Sequence, residues 1–380
     1  MYAILRTGAF FCACLYLLFS ALAFCYGSID YRTAAVAVGG MVFLAMLFIS
    51  IAKRGLSFCA LMFLPFCFFI VSLFNYEWSG YRSVFTVFVF ISALGVSWFA
   101  VEFKKTVILF ELPFIIFLIV TLWLVLAENY GAAEFNTILV GSSRNVYSGI
   151  LLALASGYIF SREYTGKTIS VTLLFLVFLV SFPLYSRNGM FVSFLLFFCV
   201  LYRRSPLTAG GGALAAFAAL IFGWDFFYEF IQARTNLSAG IESDRYYIAQ
   251  DYFAHLDLVS FFSGIDLTTV PMVESFGGNP HSAFLRLHSF FGFSVFLLLV
   301  VASLSFCALV LERKFLLVVV FLLYVFRAAF DIFYLFNLMD YLLFPLFFYW
   351  FFRRFFPDLR RVKVYRFSRA QADPPIEAKV

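Results

Sequence analysis

The feature that most constrains this chain is the recurrence of apolar runs long enough for a helix to cross a bilayer, which takes about 20 residues. Hydrophobic residues make up 64% of the 380 positions and charged residues only 13%, a composition that excludes an ordinary soluble domain. We therefore predict an all-α polytopic membrane protein with about twelve transmembrane helices. The predicted spans are roughly 8–26, 34–52, 56–74, 83–101, 106–127, 145–161, 167–185, 188–202, 207–224, 281–311, 314–335 and 338–352.

The basic residues predict the orientation of these spans, because Lys and Arg collect in cytoplasmic loops. With the N-terminus in the cytoplasm, every lysine falls on the cytoplasmic side. A single miscounted span would invert all later loops, so this agreement favours twelve. The arginines left for the outer face or the predicted spans are Arg32, Arg82, Arg144, Arg187, Arg234, Arg245, Arg286 and Arg327.

The spans divide the chain into four predicted parts. Residues 1–224 hold nine transmembrane helices, 225–280 form a large outer loop, 281–352 hold three more helices, and 353–380 form a basic cytoplasmic tail. Loops of this length are usually functional. Within the loop, Ser243–Leu258 carries Tyr246, Ala249, Tyr252 or Phe253, and Leu256 at helical spacing, which predicts an amphipathic helix lying on the membrane surface.

Three of the outer-face residues have the strongest functional interpretation. Arg187 stands in an SRNG turn between two spans, Arg245 begins the predicted loop helix, and His281 follows Gly-Gly-Asn-Pro at the start of a span. Guanidinium groups match phosphate oxygens bidentately, so arginines that converge on one cavity indicate a diphosphate ligand. A histidine beside them is suited to proton transfer near neutral pH.

Other polar residues near this face have structural alternatives. Arg144 either ends a helix at the headgroups or contacts phosphate, and Arg286 either extends outward along its stem or is a weaker phosphate contact. Arg327 and Asp331 are four residues apart, which favours an ion pair on one helix. His288 is interpreted as a packed, neutral side chain.

No metal or other cofactor is predicted. The chain has no DxD motif and no CxxC pair, and its three histidines are too scattered to form a ligand set. No nucleic-acid motif and no phosphate-binding glycine loop is present, so nucleic acid is not an expected partner.

Three segments occur in an order that resembles a known family. They are YSRNGM at 185–190, SDRYYIAQDYF at 243–253, and GIDLTT followed by NPHSAFLRLHSFFGF between 264 and 293. In this order and spacing the chain is similar to the bacterial O-antigen polymerase and O-antigen ligase superfamily. One departure is Ser282, where the family often has Asn after the histidine; Asn279 is the alternative orienting partner.

The resemblance implies metal-independent, inverting glycosyl transfer on the periplasmic face of the bacterial inner membrane, with both termini cytoplasmic. The donor is then an oligosaccharide linked to undecaprenyl diphosphate. Arg187 and Arg245 hold the diphosphate, and His281 aligns or deprotonates the acceptor hydroxyl. The expected partners are this lipid-linked donor, the lipid bilayer and a protein that regulates chain length.

Several functions are compatible with the sequence. The leading hypothesis is a polymerase that joins repeat units of O-antigen or a similar surface polysaccharide, and the nearest alternative is an O-antigen ligase that uses the same donor. A polysaccharide or lipid transporter is the alternative from another class, although the halves show no internal repeat. A structural membrane subunit, whose arginines bind anionic lipid, is the third.

Overall fold

The computed structural model describes residues 2–54, 62–184, 186–225, 228–229 and 244–355. Within these ranges all regular structure is helical. Arg234, most of the predicted tail and part of the predicted outer loop lie outside the described residues.

The first half of the chain is built from long helices joined by short connections. A single π-helical turn, Val107–Glu111, leads directly into α6, and a short 3-10 turn at Glu134–Asn136 precedes α7. The helices are α1 Tyr2–Tyr26, α2 Ile29–Arg54, α3 Phe63–Phe74, α4 Tyr76–Ser79, α5 Tyr81–Glu102, α6 Leu112–Leu126, α7 Arg144–Thr165, α8 Val171–Ser181, α9 Arg187–Arg204 and α10 Pro206–Phe222.

The second half contains shorter and more irregular elements. Two 3-10 turns, Leu267–Thr269 and Leu338–Leu342, interrupt the α-helices. The helices are α11 Asp244–Ala254, α12 Leu258–Ser263, α13 Pro271–Ser275, α14 Ala283–Phe291, α15 Ser294–Leu311, α16 Phe315–Ala329, α17 Phe344–Phe347 and α18 Tyr349–Phe355.

The all-helical prediction is confirmed for the described residues, and so is the presence of helices able to cross a membrane. Five segments are long and apolar enough to do so: Tyr2–Tyr26, Ile29–Lys53, Tyr81–Glu102, Val107–Leu126 and Ser294–Leu311. Helices α3, α8 and α16 are apolar but shorter. The total of twelve spans remains a prediction.

Two of the predicted spans are not continuous helices. The run 281–311 is divided into α14 and α15 at Gly292, whose φ of +49° is a conformation that side chains rarely adopt. A Cβ at this position would lie 2.0 Å from the carbonyl oxygen of Phe262. The run 338–352 consists of a 3-10 turn and two short helices. Apolarity alone predicted these spans, and it does not distinguish a membrane helix from an irregular segment buried inside the protein.

The C-terminal irregular segment forms the centre of the molecule. Every residue from 333 to 349 is buried, and we call this stretch the buried segment. Because non-helical backbone at membrane depth must find hydrogen bonds within the protein, side chains of the surrounding helices supply them. The hydroxyl of Tyr16 donates to the carbonyl of Leu338 at 2.6 Å, and that of Ser305 donates to the carbonyl of Phe347 at 2.7 Å.

The buried segment also donates hydrogen bonds to the helices around it. The hydroxyl of Tyr334 donates to the carbonyl of Gly149 on α7 at 2.8 Å. The hydroxyl of Tyr341 donates to the carbonyl of Leu109 in the π-helical turn at 3.1 Å. The segment therefore connects helices from both halves of the chain.

At one end of the helices, ion pairs join positions that the sequence assigned to the cytoplasm. Lys53 at the end of α2 lies 3.2 Å from Glu102 at the end of α5, and Arg353 on α18 lies 2.9 Å from Glu312 after α15. Arg203 at the end of α9 pairs with Glu163 near the end of α7. The ends that the charge pattern grouped on one side therefore lie together in the fold.

Helices α2 and α5 approach each other closely at Gly95. A Cβ at Gly95 would lie 2.6 Å from the backbone of Phe43, so we expect Gly95→Ala to separate these helices and lower the free energy of unfolding by about 1–3 kcal/mol. Thermal unfolding of the detergent-purified protein measures the change. Gly8→Ala on α1 is the matched control, because a Cβ there meets no described atom within 4 Å. Equal midpoints for the two variants would contradict the packing.

Candidate functional site

The electrostatic neighbours of Arg245 define a site built from residues distant in sequence. Burial lowers the pKa of Arg245, Asp331 raises it, and Arg327 and Arg187 lower it. The predicted residue His281 belongs to the same group, since Arg245 and Asp331 are among its charged neighbours. Arg245 is therefore an electrostatic neighbour of both Arg187 and His281, although the three residues lie on separate segments.

Arg187 is placed by the close packing of α9 on α7. It is the first residue of α9, and the side chain of Ser186 caps this helix by accepting from the backbone N–H of Gly189 at 3.3 Å. A Cβ at Gly189 would lie 2.1 Å from the Ser148 hydroxyl of α7, so the SRNG sequence fits this approach only with glycine in last place. Phe191 also contacts Phe326 of α16, with ring centroids 5.9 Å apart.

Arg245 is held by α11, whose apolar face packs against protein. Ile248 and Tyr252 are fully buried in a small second core with Ile265, Val270 and Val273. The prediction of a helix here is confirmed. The loop and α14 cover the face that carries Ile248, while Tyr246 and Phe253, which belong to the predicted apolar face, are exposed to 58% and 62%. The membrane-surface location of α11 remains a prediction.

Two hydrogen-bond connections fix α11 relative to the loop and to α14. The hydroxyl of Tyr252 lies 2.8 Å from Nδ1 of His288, whose Nε2 lies 3.0 Å from the carbonyl of Phe261. Asp251 accepts from the backbone N–H of Met272 at 2.8 Å. Since both ring nitrogens of His288 are engaged, this histidine is a packed side chain, as expected from the sequence.

His281 has an unusual backbone conformation. Its φ is +52°, in the left-handed region that non-glycine residues seldom adopt and that often marks a functional site. Asn279 stabilises the turn by accepting from the backbone N–H of His281 at 2.9 Å, so it orients the backbone of this histidine. The imidazole packs edge-on against Phe276, and no described residue forms a hydrogen bond with it.

The environment of His281 favours the neutral imidazole. Burial lowers its pKa below the ordinary value of 6.5, and Arg245 lowers it further, whereas Asp331 and Asp244 raise it. A neutral histidine with unoccupied ring nitrogens is able to accept a proton at neutral pH.

The two weaker candidates lie less directly in this group. The Nη2 atom of Arg286 donates to the carbonyl of Leu335 at 2.8 Å, so this side chain anchors the buried segment, with Arg32, Asp340 and Asp331 among its charged neighbours. Arg144 is the first residue of α7; its backbone N–H donates to Asn136 at 3.0 Å, and its side chain forms no ion pair with a described residue.

Sequence reasoning missed two members of the site, Arg327 and Asp331. Their predicted ion pair exists, at 3.4 Å, but α16 ends at Ala329, so Asp331 lies beyond the helix. Asp331 is instead a shared acidic neighbour of Arg245, His281 and Arg286. The signal available in the sequence was that both residues are charged and sit in an apolar run.

The site suits an anion. Arg187 is the first residue of α9, and Asn145 in the first turn of α7 accepts a hydrogen bond from Arg327. Helix N-termini carry partial positive charge. Within the described part of the chain, no three His, Cys, Asp or Glu side chains form a group able to hold a metal ion. No protein-family model matches the chain, and no curated protein and no solved structure is similar to it.

The connection between Tyr252 and His288 should matter for stability. Tyr252→Phe leaves a buried ring nitrogen without its partner, so we expect the free energy of unfolding to fall by about 1–3 kcal/mol. Thermal unfolding of the purified protein checks this. Tyr246→Phe removes a hydroxyl from an exposed ring of the same helix and should leave the midpoint unchanged. If the two variants unfold at the same temperature, the connection does not stabilise α11.

Proposed function

We propose that this protein is a glycosyltransferase that polymerises O-antigen or a similar surface polysaccharide from repeat units linked to undecaprenyl diphosphate. The observation that carries the proposal is that Arg245 has both Arg187 and His281 as electrostatic neighbours. These residues come from the three segments whose order resembles the O-antigen polymerase and ligase superfamily.

The arginines support a diphosphate donor. Arg187 is exposed and Arg245 is half-buried, so the guanidinium group of Arg187 is open to an incoming ligand. Each offers a rigid set of N–H donors that matches phosphate oxygens. Their role is to hold the diphosphate and to stabilise the negative charge that develops as it leaves.

His281 supports acid–base chemistry on the acceptor. In the proposed step the acceptor hydroxyl oxygen bonds to the anomeric carbon of the donor sugar, and its proton passes to the imidazole of His281. The bond between the anomeric carbon and the phosphate oxygen breaks, and undecaprenyl diphosphate departs with the electron pair. Attack opposite the leaving group inverts the anomeric configuration.

An apolar cavity next to this region is consistent with a lipid substrate. It has a volume of about 170 Å³ and lies between α14, α15 and α16. Phe284, Leu299, Phe306 and Val325 are among its lining residues. Phe284, which lines this cavity, is three residues after His281 in the sequence.

The proposal includes a cellular location and partners. The protein lies in the bacterial inner membrane, with both termini in the cytoplasm and the arginine cluster on the periplasmic face, where it joins lipid-linked repeat units. A protein that regulates chain length is the expected protein partner. An O-antigen ligase is the alternative, because it needs the same donor chemistry.

Variants at the three residues test the function in cells. Arg187→Ala, Arg245→Ala and His281→Ala should each abolish the ladder of polysaccharide chain lengths. Each arginine variant loses a contact to the diphosphate of the glycan donor, and the histidine variant loses the base. Arg187→Lys and Arg245→Lys should impair it, because lysine lacks the planar fork. The readout is gel electrophoresis of lipopolysaccharide from a deletion strain that expresses each variant, with membrane insertion checked by immunoblot.

His255→Ala is the matched control for the histidine, because His255 is exposed and pairs with Asp251. It should support a normal ladder. Normal ladders from all three site variants would overturn the assignment. A deletion strain that carries one repeat unit on the lipid A core supports a polymerase, whereas a bare core would assign the protein as a ligase.

The pH dependence of the reaction tests the role of His281 as a base. Because burial and Arg245 lower its pKa, the active neutral form persists as the pH falls to 6.5. Reconstituted protein should therefore lose half of its activity only below pH 6.5, and His255→Ala should show the same acid limb. An acid limb centred above pH 6.5 would contradict this environment for His281.

A further inference from the structure

Arg327 is buried at the site and has most of its hydrogen-bonding capacity unused. It lies in the last turn of α16 and is only 2% exposed. A guanidinium group in an apolar interior is unfavourable unless its charge is paired and its N–H groups are bonded. The partners of this side chain therefore decide what it does.

Those partners satisfy only part of the guanidinium group. Nη2 donates to the carbonyl of Asn145 at 2.8 Å, and its distance to Asp331 is a long 3.4 Å. Asp331 also accepts from the backbone N–H of Phe333 at 3.0 Å. Nε and Nη1 of Arg327 are inaccessible to solvent and have no partner among the described residues. Of the five N–H groups of an arginine, the three on these two nitrogens stay unbonded.

The charge balance also favours an anionic ligand. The charged neighbours of Arg245 are two arginines, Arg187 and Arg327, and one carboxylate, Asp331, while Asp244 is an exposed neighbour of His281. Guanidinium groups stay charged at all physiological pH values, so the cluster has a positive excess that deprotonation does not relieve. An anion with more than one charge is the ligand that balances it.

We propose that Arg327 is a further arginine of the diphosphate site and binds a phosphate oxygen through its unbonded nitrogens, together with Arg187 and Arg245. The inference rests on the proposed function, because that function supplies the diphosphate. It assigns to Arg327 a ligand contact in addition to its ion pair with Asp331. The carbonyl of Asn145 and Asp331 hold the side chain in place for this contact.

Binding of geranylgeranyl diphosphate to the purified protein in phosphatidylcholine nanodiscs tests the proposal. Arg327→Gln should weaken binding at least about tenfold relative to wild type, because a charge-assisted contact is lost. Arg82→Gln changes an exposed arginine at the start of α5 and should bind as wild type does. Geranylgeranyl monophosphate should bind more weakly than the diphosphate to the wild-type protein.

Wild-type affinity in a folded Arg327→Gln variant would overturn the inference. If that variant does not fold, Arg327→Lys decides: weaker binding supports the contact, and wild-type affinity refutes it.

Added phosphatidylglycerol should not compete with the lipid diphosphate for binding. Competition would assign the site to lipid headgroups and refute a diphosphate site. If Arg187→Ala loses binding while Arg327→Gln keeps it, this inference fails alone, whereas a wild-type protein that binds no lipid diphosphate refutes the proposed function with it.

Discussion

The architecture depends on the hydrogen bonds that satisfy the buried segment, residues 333–349. In an apolar interior every unpaired backbone group is costly, so an irregular segment is stable there only when side chains replace the bonds of a helix. Tyr16 and Ser305 donate to its carbonyls, and the backbone N–H of Leu335 donates to the hydroxyl of Tyr324 at 3.2 Å. Leu335 and Phe336 have φ values of +58° and +62°, a strained conformation that this network holds.

The same network positions the candidate site. Arg286 donates to the carbonyl of Leu335, and Asp331 lies just before the buried segment begins. Tyr334 ties the segment to α7, whose first turn supplies the carbonyl of Asn145 that accepts from Arg327. The arginine cluster is thus assembled where the irregular segment meets the ends of α7 and α16. Rigid surroundings of this kind are what a site needs in order to bind a charged group without reorganisation.

Part of this structure could be predicted from the sequence, for reasons visible in particular residues. Most helices could be predicted from apolar runs, because a helix in lipid forms all of its backbone hydrogen bonds within itself. The runs did not predict that the helices of 281–311 and 338–352 are interrupted, because the break at Gly292 and the burial of the last run depend on tertiary contacts. Arg187, Arg245 and His281 were identifiable because ionisable residues are rare in so apolar a chain. The unbonded nitrogens of Arg327 could not be predicted, because its spacing of four residues from Asp331 indicated a complete ion pair on one helix. The packing of Ile248 of α11 against protein could not be predicted, because its packing partners come from other segments.

The central claim is that this protein transfers glycans from a lipid diphosphate without a nucleotide sugar or a metal ion. The most direct measurement is mass spectrometry of the purified, reconstituted protein supplied only with an undecaprenyl-diphosphate-linked repeat unit and a chelator. The account predicts that longer lipid-linked glycans form and that one undecaprenyl diphosphate is released for each unit added. A folded protein that leaves the repeat unit unchanged would contradict the account.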